Sequence, residues 1–124
     1  MWYNKKILKL FLQPQHAGEF APRTADVVSV RVGNPGQTDV IQLQIVFMHH
    51  IVSDAKFKVQ GGVATIAAAE YVASNIKNKG INELLAINSQ TIIDALQLPE
   101  QRYHAAVLAS TALQQLIIEI KNDR

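Results

Sequence analysis

Between Val28 and Gln60 apolar and polar side chains alternate in three runs, and after Gly61-Gly62 the alternation gives way to a helical spacing. Val28, Val30 and Val32 are separated by Ser29 and Arg31. Ile41, Leu43, Ile45 and Phe47 are separated by Gln42, Gln44 and Val46, and Ala55, Phe57 and Val59 by Lys56 and Lys58. A period of two sends one set of side chains inward and the other toward solvent, so each run predicts a half-buried strand. Met48-His49-His50 reads as the hairpin connection between the second and third strands. The first connection, Gly33 to Asp39, is rich in turn formers and longer than a tight hairpin needs.

Helical spacing appears on both sides of this block. Residues 2–12 predict an amphipathic helix with Tyr3, Ile7, Leu10 and Phe11 on one face and Asn4 as its cap, ended by Pro14 and Gly18. Residues 64–78 predict an Ala-rich helix that offers Ile66, Ala69, Tyr71, Val72 and Ile76 for burial. A short helix follows at 82–87, then one at 90–97 with Ser89 as cap and Pro99 beyond its end. The last and longest, 101–121, carries a broad stripe from Ala105 through Leu113 and Leu116 to Ile120. Strands grouped together, with helices segregated around them, predict an α+β fold. The expected architecture is a three-stranded antiparallel sheet packed on one face by helices, with residues 1–124 forming one domain. A parallel sheet would require strands and helices to alternate, and they do not.

Composition narrows the chemistry. The 124 residues are 48% apolar and 18% charged, enough for a core without staples, and they include no cysteine. Disulfides, thiolate nucleophiles and cysteine-ligated metal centres are thereby excluded within this sequence. The formal charge is +2, and lysines are interrupted by Asp and Glu instead of forming one basic surface, so no nucleic-acid partner is expected. The apolar run after Lys5-Lys6 is too short and too charged for a signal peptide, and no stretch reaches membrane-spanning length. The expectation is a cytoplasmic protein without a membrane partner.

No catalytic constellation stands out. Gly33-Asn34-Pro35-Gly36 lacks the lysine and helix start of a phosphate loop, and no nucleophile elbow is present. Gly61-Gly62 leads from a strand into a helix, where backbone N–H groups either receive an anion or simply turn the chain. His49-His50 at a hairpin tip would point to opposite faces if extended, which suits surface decoration better than chelation. Asp39, Gly61-Gly62 and His104 fall at element ends that this order of elements can bring to one end of the sheet. Each also has a plain structural reading, Asp39 as a turn residue and His104 as a helix-start residue.

Several segments, in order, resemble the U-type iron–sulfur cluster scaffold family, the IscU/NifU N-terminal domain. Tyr3 and Pro14-Gln15-His16-Ala17-Gly18-Glu19-Phe20 are similar to that family's opening helix and NPxNxGxF-like loop. Val32-Gly33-Asn34-Pro35-Gly36-Gln37-Thr38-Asp39 through Leu43 is similar to its VGxPxCGDxxxL loop. Ala55-Lys56-Phe57-Lys58-Val59-Gln60-Gly61-Gly62 is similar to AxFKxxGCxxS, and Leu98-Pro99-Glu100-Gln101-Arg102-Tyr103-His104-Ala105 stands where the family has LPPVKxHC.

The resemblance implies a site built from three cysteines, an aspartate and a nearby histidine, holding a [2Fe–2S] cluster or, in its absence, zinc. Here the cysteine positions are Gln37, Gly62 and Ala105, and only Asp39 and His104 match. No cofactor is therefore expected, and Asp39 with His104 is a vestigial metal pair at most. Sulfur acceptance from a cysteine desulfurase also lacks its thiol. In the chaperone-recognised loop, Leu98, Pro99 and a positive charge at Arg102 persist while Glu100-Gln101 differ.

The resemblance thus suggests a non-enzymatic, cysteine-less relative of the scaffold that works through protein contacts. Its expected partner is a cysteine desulfurase or a true scaffold, and the expected contact surfaces are Trp2, Tyr3, Leu98, Pro99 and Arg102, and the vestigial-site end with Gln37, Asp39, Gly62 and His104. Trp2 and Tyr3 serve equally well as a staple of the first helix. The alternative is a small-molecule or metal-binding protein that reuses the emptied pocket around Asp39 and His104. The amphipathic helices also suit a homodimer.

Overall fold

The computed structural model describes residues 2–33, 36 and 38–123. Three antiparallel strands in the order β1-β2-β3 form the sheet: β1 Val27–Val32, β2 Val40–Met48 and β3 Ile51–Gln60. Val30 lies opposite Leu43, and Leu43 opposite Phe57, so the alternating apolar positions of all three strands fall on one face. Val28, Ile41, Leu43, Ile45, Phe47 and Phe57 are buried there, while Ser29, Arg31 and Lys58 stay on the wet face.

The third strand starts at Ile51, four residues before the first residue of the predicted run. Its register against β2 shifts between Val46 and Phe47, where Val46 faces Asp54 but Phe47 faces Val52. Ser53 is therefore the extra residue of a bulge. It breaks the period of two, so Val52 and Ala55 point inward three positions apart. The connection between β2 and β3 shrinks to His49-His50, with φ of 55° and 65°. Two successive left-handed residues give the turn whose twist suits a two-residue hairpin, so neither histidine is extended.

The helices cover the apolar face. α1 (Lys5–Leu12) begins later than predicted, because Asn4 is its cap: Asn4 Oδ1 accepts from the Ile7 N–H at 2.9 Å. α2 (Val63–Ile76) packs against α1, β3 and the last helix, and is buried on nearly every side. Its alanines 64, 67, 68, 69 and 73 let neighbouring elements approach closely. α3 is a single turn, Ile81–Leu84, shorter than the predicted 82–87. α4 (Ser89–Leu96) is capped by Asn88, not Ser89: Asn88 Oδ1 accepts from the Thr91 N–H at 3.0 Å, and Thr91 Oγ1 in turn accepts from the Asn88 N–H. A 3-10 turn at Glu100–Arg102 leads into α5 (Tyr103–Asp123), whose predicted stripe is buried against β1, β2, α2 and α4. Among the described residues no helix is long and apolar enough to cross a membrane.

Residues 16–18, predicted as loop, run beside β3. The Phe57 N–H donates to the His16 carbonyl at 2.9 Å, the Gly18 N–H donates to the Phe57 carbonyl at 2.8 Å, and Ala17 pairs with Phe57 in parallel sense. This short strap covers the middle of the β3 edge.

Candidate functional site

Three elements end together at one end of the sheet, and one carboxylate joins them. Asp39 precedes β2, Thr65 sits in the first turn of α2, and His104 is the second residue of α5. Asp39 Oδ2 accepts from Thr65 Oγ1 at 2.8 Å, and the same oxygen lies 3.2 Å from His104 Nε2. Thr65 is 1% exposed, and the Asp39 side chain 13%. Their bond is therefore a charge-assisted one in a largely dry setting, the stronger class of hydrogen bond. The His104 side chain is 59% exposed, so its contact with Asp39 is solvent-screened and weak.

The paired glycines have different roles. A Cβ on Gly61 would stand 2.5 Å from Asp39 Oδ1, so this glycine is required by close approach. A Cβ on Gly62 would meet nothing within 4 Å, leaving room for the side chain that the resemblance places there. With the Asp39 carboxylate packed against Gly61, the entry to α2 is already supplied with a negative group, which disfavours the anion-receiving alternative. Ala105 is fully buried and packs in the core. An open pocket of about 370 Å³ is lined by Thr38, Asp39, His104 and Leu108. Gln37 lies outside the described residues.

The structure also brings the two ends of the predicted contact surface together. The rings of Trp2 and Tyr3 meet edge to face, 5.4 Å between centroids, and the Arg102 guanidinium lies 4.9 Å from the centroid of Trp2. Asn4 Nδ2 donates to the Leu96 carbonyl at 2.9 Å, tying the same segment to the end of α4. Trp2, Tyr3, Pro99 and Arg102 are half-buried. Leu98 is 5% exposed and part of the core, which withdraws its side chain from a surface.

Two features escaped the sequence reading. Thr65 was indistinguishable from helix filler. The other is a carboxylate–imidazole pair away from this site: Glu70 Oε1 accepts from the His16 N–H at 2.8 Å, and Glu70 Oε2 lies 2.6 Å from His16 Nδ1. Its available signal was Glu70 itself, the one charged residue of Val63–Ile76. Among the described residues no group of three or more His, Asp or Glu side chains is arranged to hold a metal ion.

Comparison with known proteins now bears on this geometry. The model of the family described as NifU-like N terminal domain matches residues 2–124. The iron-sulfur cluster assembly scaffold protein IscU of Buchnera aphidicola subsp. Schizaphis graminum is 35% identical, covering 100% of this chain and 98% of its own length. IscU of Escherichia coli K12 is 34% identical with the same coverage. The crystal structure of a NifU-like N-terminal protein from Brucella abortus superposes with a TM-score of 0.75 at 19% identity, covering 99% of this chain and 96% of that one. A putative scaffold protein for the SUF system from Fervidobacterium islandicum gives a TM-score of 0.75 at 16% identity, covering 94% and 97%. These two likenesses concern the fold.

Among the described residues, the side-chain donors left at the site are the Asp39 carboxylate, the His104 imidazole and the hydroxyls of Thr38 and Thr65. They are hard or borderline ligands, whereas an iron–sulfur cluster is held chiefly by soft thiolates. Gly62 and Ala105 bring no donor, so the residues present do not fit a thiolate-ligated cluster. The match over nearly the whole chain, the relatives of equal length and the shared architecture together show that the chain belongs to the NifU-like N-terminal domain family, that of the IscU-type iron–sulfur cluster assembly scaffolds, in a form with no cysteine.

Proposed function

We propose that this chain is a non-enzymatic member of the scaffold family that acts through protein contacts, as a modulator or decoy beside iron–sulfur cluster assembly. The observation that carries this reading is a full-length family frame whose matching aspartate is bonded to its own protein while every thiol is gone. A chain in this state presents the family's shape to a partner without receiving sulfur or holding a thiolate-ligated cluster. The proposed partner is a cysteine desulfurase or a cysteine-bearing scaffold. The proposed contact area includes Trp2, Tyr3, Pro99 and Arg102, with the neighbouring end around Asp39 and His104. Trp and Arg are residue types enriched at interface anchors, and here they are already stacked on each other.

Reuse of the pocket for a metal or small ligand is less well supported. It has four lining residues, and one Asp39 oxygen already accepts from Thr65 and lies against His104. The test is calorimetric titration against the cysteine desulfurase of the same organism, with that organism's cysteine-bearing scaffold as competitor. Binding at micromolar or lower Kd that the competitor displaces is the expected result. Absence of binding, with the desulfurase shown to bind its proper scaffold, overturns the reading.

A further inference from the structure

We infer that Asp39, Thr65 and His104 form a side-chain clamp that does the cross-linking a bound metal would otherwise do, so that this end of the fold closes without any metal. The positions that the resemblance assigns to ligands lie on three pieces of chain: the segment before β2, the entry to α2 and the start of α5. Ligation through them would tie those three pieces together, as metal sites generally couple binding to folding. Asp39 Oδ2 joins the same three pieces, through a hydrogen bond from Thr65 on α2 and a 3.2 Å contact with His104 on α5. Gly61 completes the arrangement from the end of β3 by leaving space for Asp39 Oδ1.

Thr65 is the principal positioning residue. It is buried, its hydroxyl is the shorter of the two contacts, and a side chain without a donor at that position would leave a largely buried carboxylate oxygen short of a partner. His104 adds a weaker, solvent-facing contact. The inference stands on this geometry and does not depend on any partner, so it survives or fails independently of the proposed function.

The test uses the whole chain and two substitutions at one position. Thr65→Val keeps the shape and removes the hydroxyl, while Thr65→Ser keeps the hydroxyl and removes a methyl. Amide hydrogen exchange is followed at Thr38, Asp39, Val40 and His104, with the His49-His50 hairpin as internal reference, with zinc and with a chelator. Thr65→Val is expected to lower the folding equilibrium constant about tenfold or more. It should also speed exchange at both the Asp39 and His104 ends relative to the hairpin, while Thr65→Ser retains the local protection. Zinc and chelator are expected to leave the wild-type pattern unchanged.

Equal local exchange in wild type and Thr65→Val overturns the clamp, whatever the global stability does. So does protection of the wild-type site that appears only with zinc, because closure would then belong to the metal. If Thr65→Val does not fold, Thr65→Ser decides: loss of local protection despite its hydroxyl also overturns the inference.

Discussion

Among the described residues the same chemical pair occurs twice, a carboxylate against an imidazole, in opposite surroundings. Glu70 is 2% exposed and His16 13%; both Glu70 oxygens are engaged by the one residue, through its backbone N–H and its ring. Asp39 is 13% exposed and His104 59%, and one oxygen is shared between a threonine and the histidine. The first pair pins a strap of chain to the side of the sheet. The second gathers the ends of three elements at a place where the family resemblance implies a metal. Burial and the completeness of hydrogen bonding, not the identity of the partners, decide how much each contributes. A buried carboxylate oxygen that loses its partner bears a desolvation cost that water does not offset, whereas an exposed histidine is replaced by water.

Breaking the two pairs separately should therefore give unequal results. His16→Ala leaves the Glu70 carboxylate buried without its ring partner and should lower stability by about 3 kcal/mol, read by urea unfolding. A loss under half of that would mean that the strap is not held by this pair. Next in size is the contrast between adjacent glycines. Gly61→Ala drives a Cβ against Asp39 Oδ1 and should cost about 1–3 kcal/mol. Gly62→Ala, pointing into open space, should stay within about 0.5 kcal/mol of wild type in the same urea unfolding. Equal costs would refute the claim that close approach, not chain turning, requires the first glycine. Smallest is His104→Ala, for which the exposed contact predicts a loss of less than about 1 kcal/mol, diminishing further as salt is added. A larger, salt-insensitive loss would move His104 from accessory to principal member of the site.

Much of the fold could be read because the alternation in β1 and β2 and the stripe of α5 are unbroken, and burial on one face forces such patterns into the sequence. The start of β3 was hidden for a definite reason: the bulge at Ser53 shifts the inward set by one residue, so a strict period of two stops at Ala55. The cap of α4 was misplaced by one residue because Asn88 and Ser89 are both good capping types, and only the bond to the Thr91 N–H tells them apart. At the site, Asp39, the glycine pair and His104 were visible as loop and helix ends that can converge. Thr65 was not, since a hydroxyl inside an Ala-rich helix carries no periodic signature, and its meaning comes entirely from a residue 26 positions away. The strap at residues 16–18 was equally silent, because three residues are too few to show a period and their ladder partner is distant in sequence.

That strap also covers part of an edge at which another strand could otherwise pair. The backbone groups of Phe57 that face away from β2 are already bonded to His16 and Gly18. A strand arriving from a neighbouring molecule cannot add along the middle of β3 without first evicting a segment that Glu70 holds by two bonds. The buried pair is thus a latch against edge-to-edge polymerisation, and loosening it should be seen as turbidity in concentrated solution before it is seen as loss of the folded state.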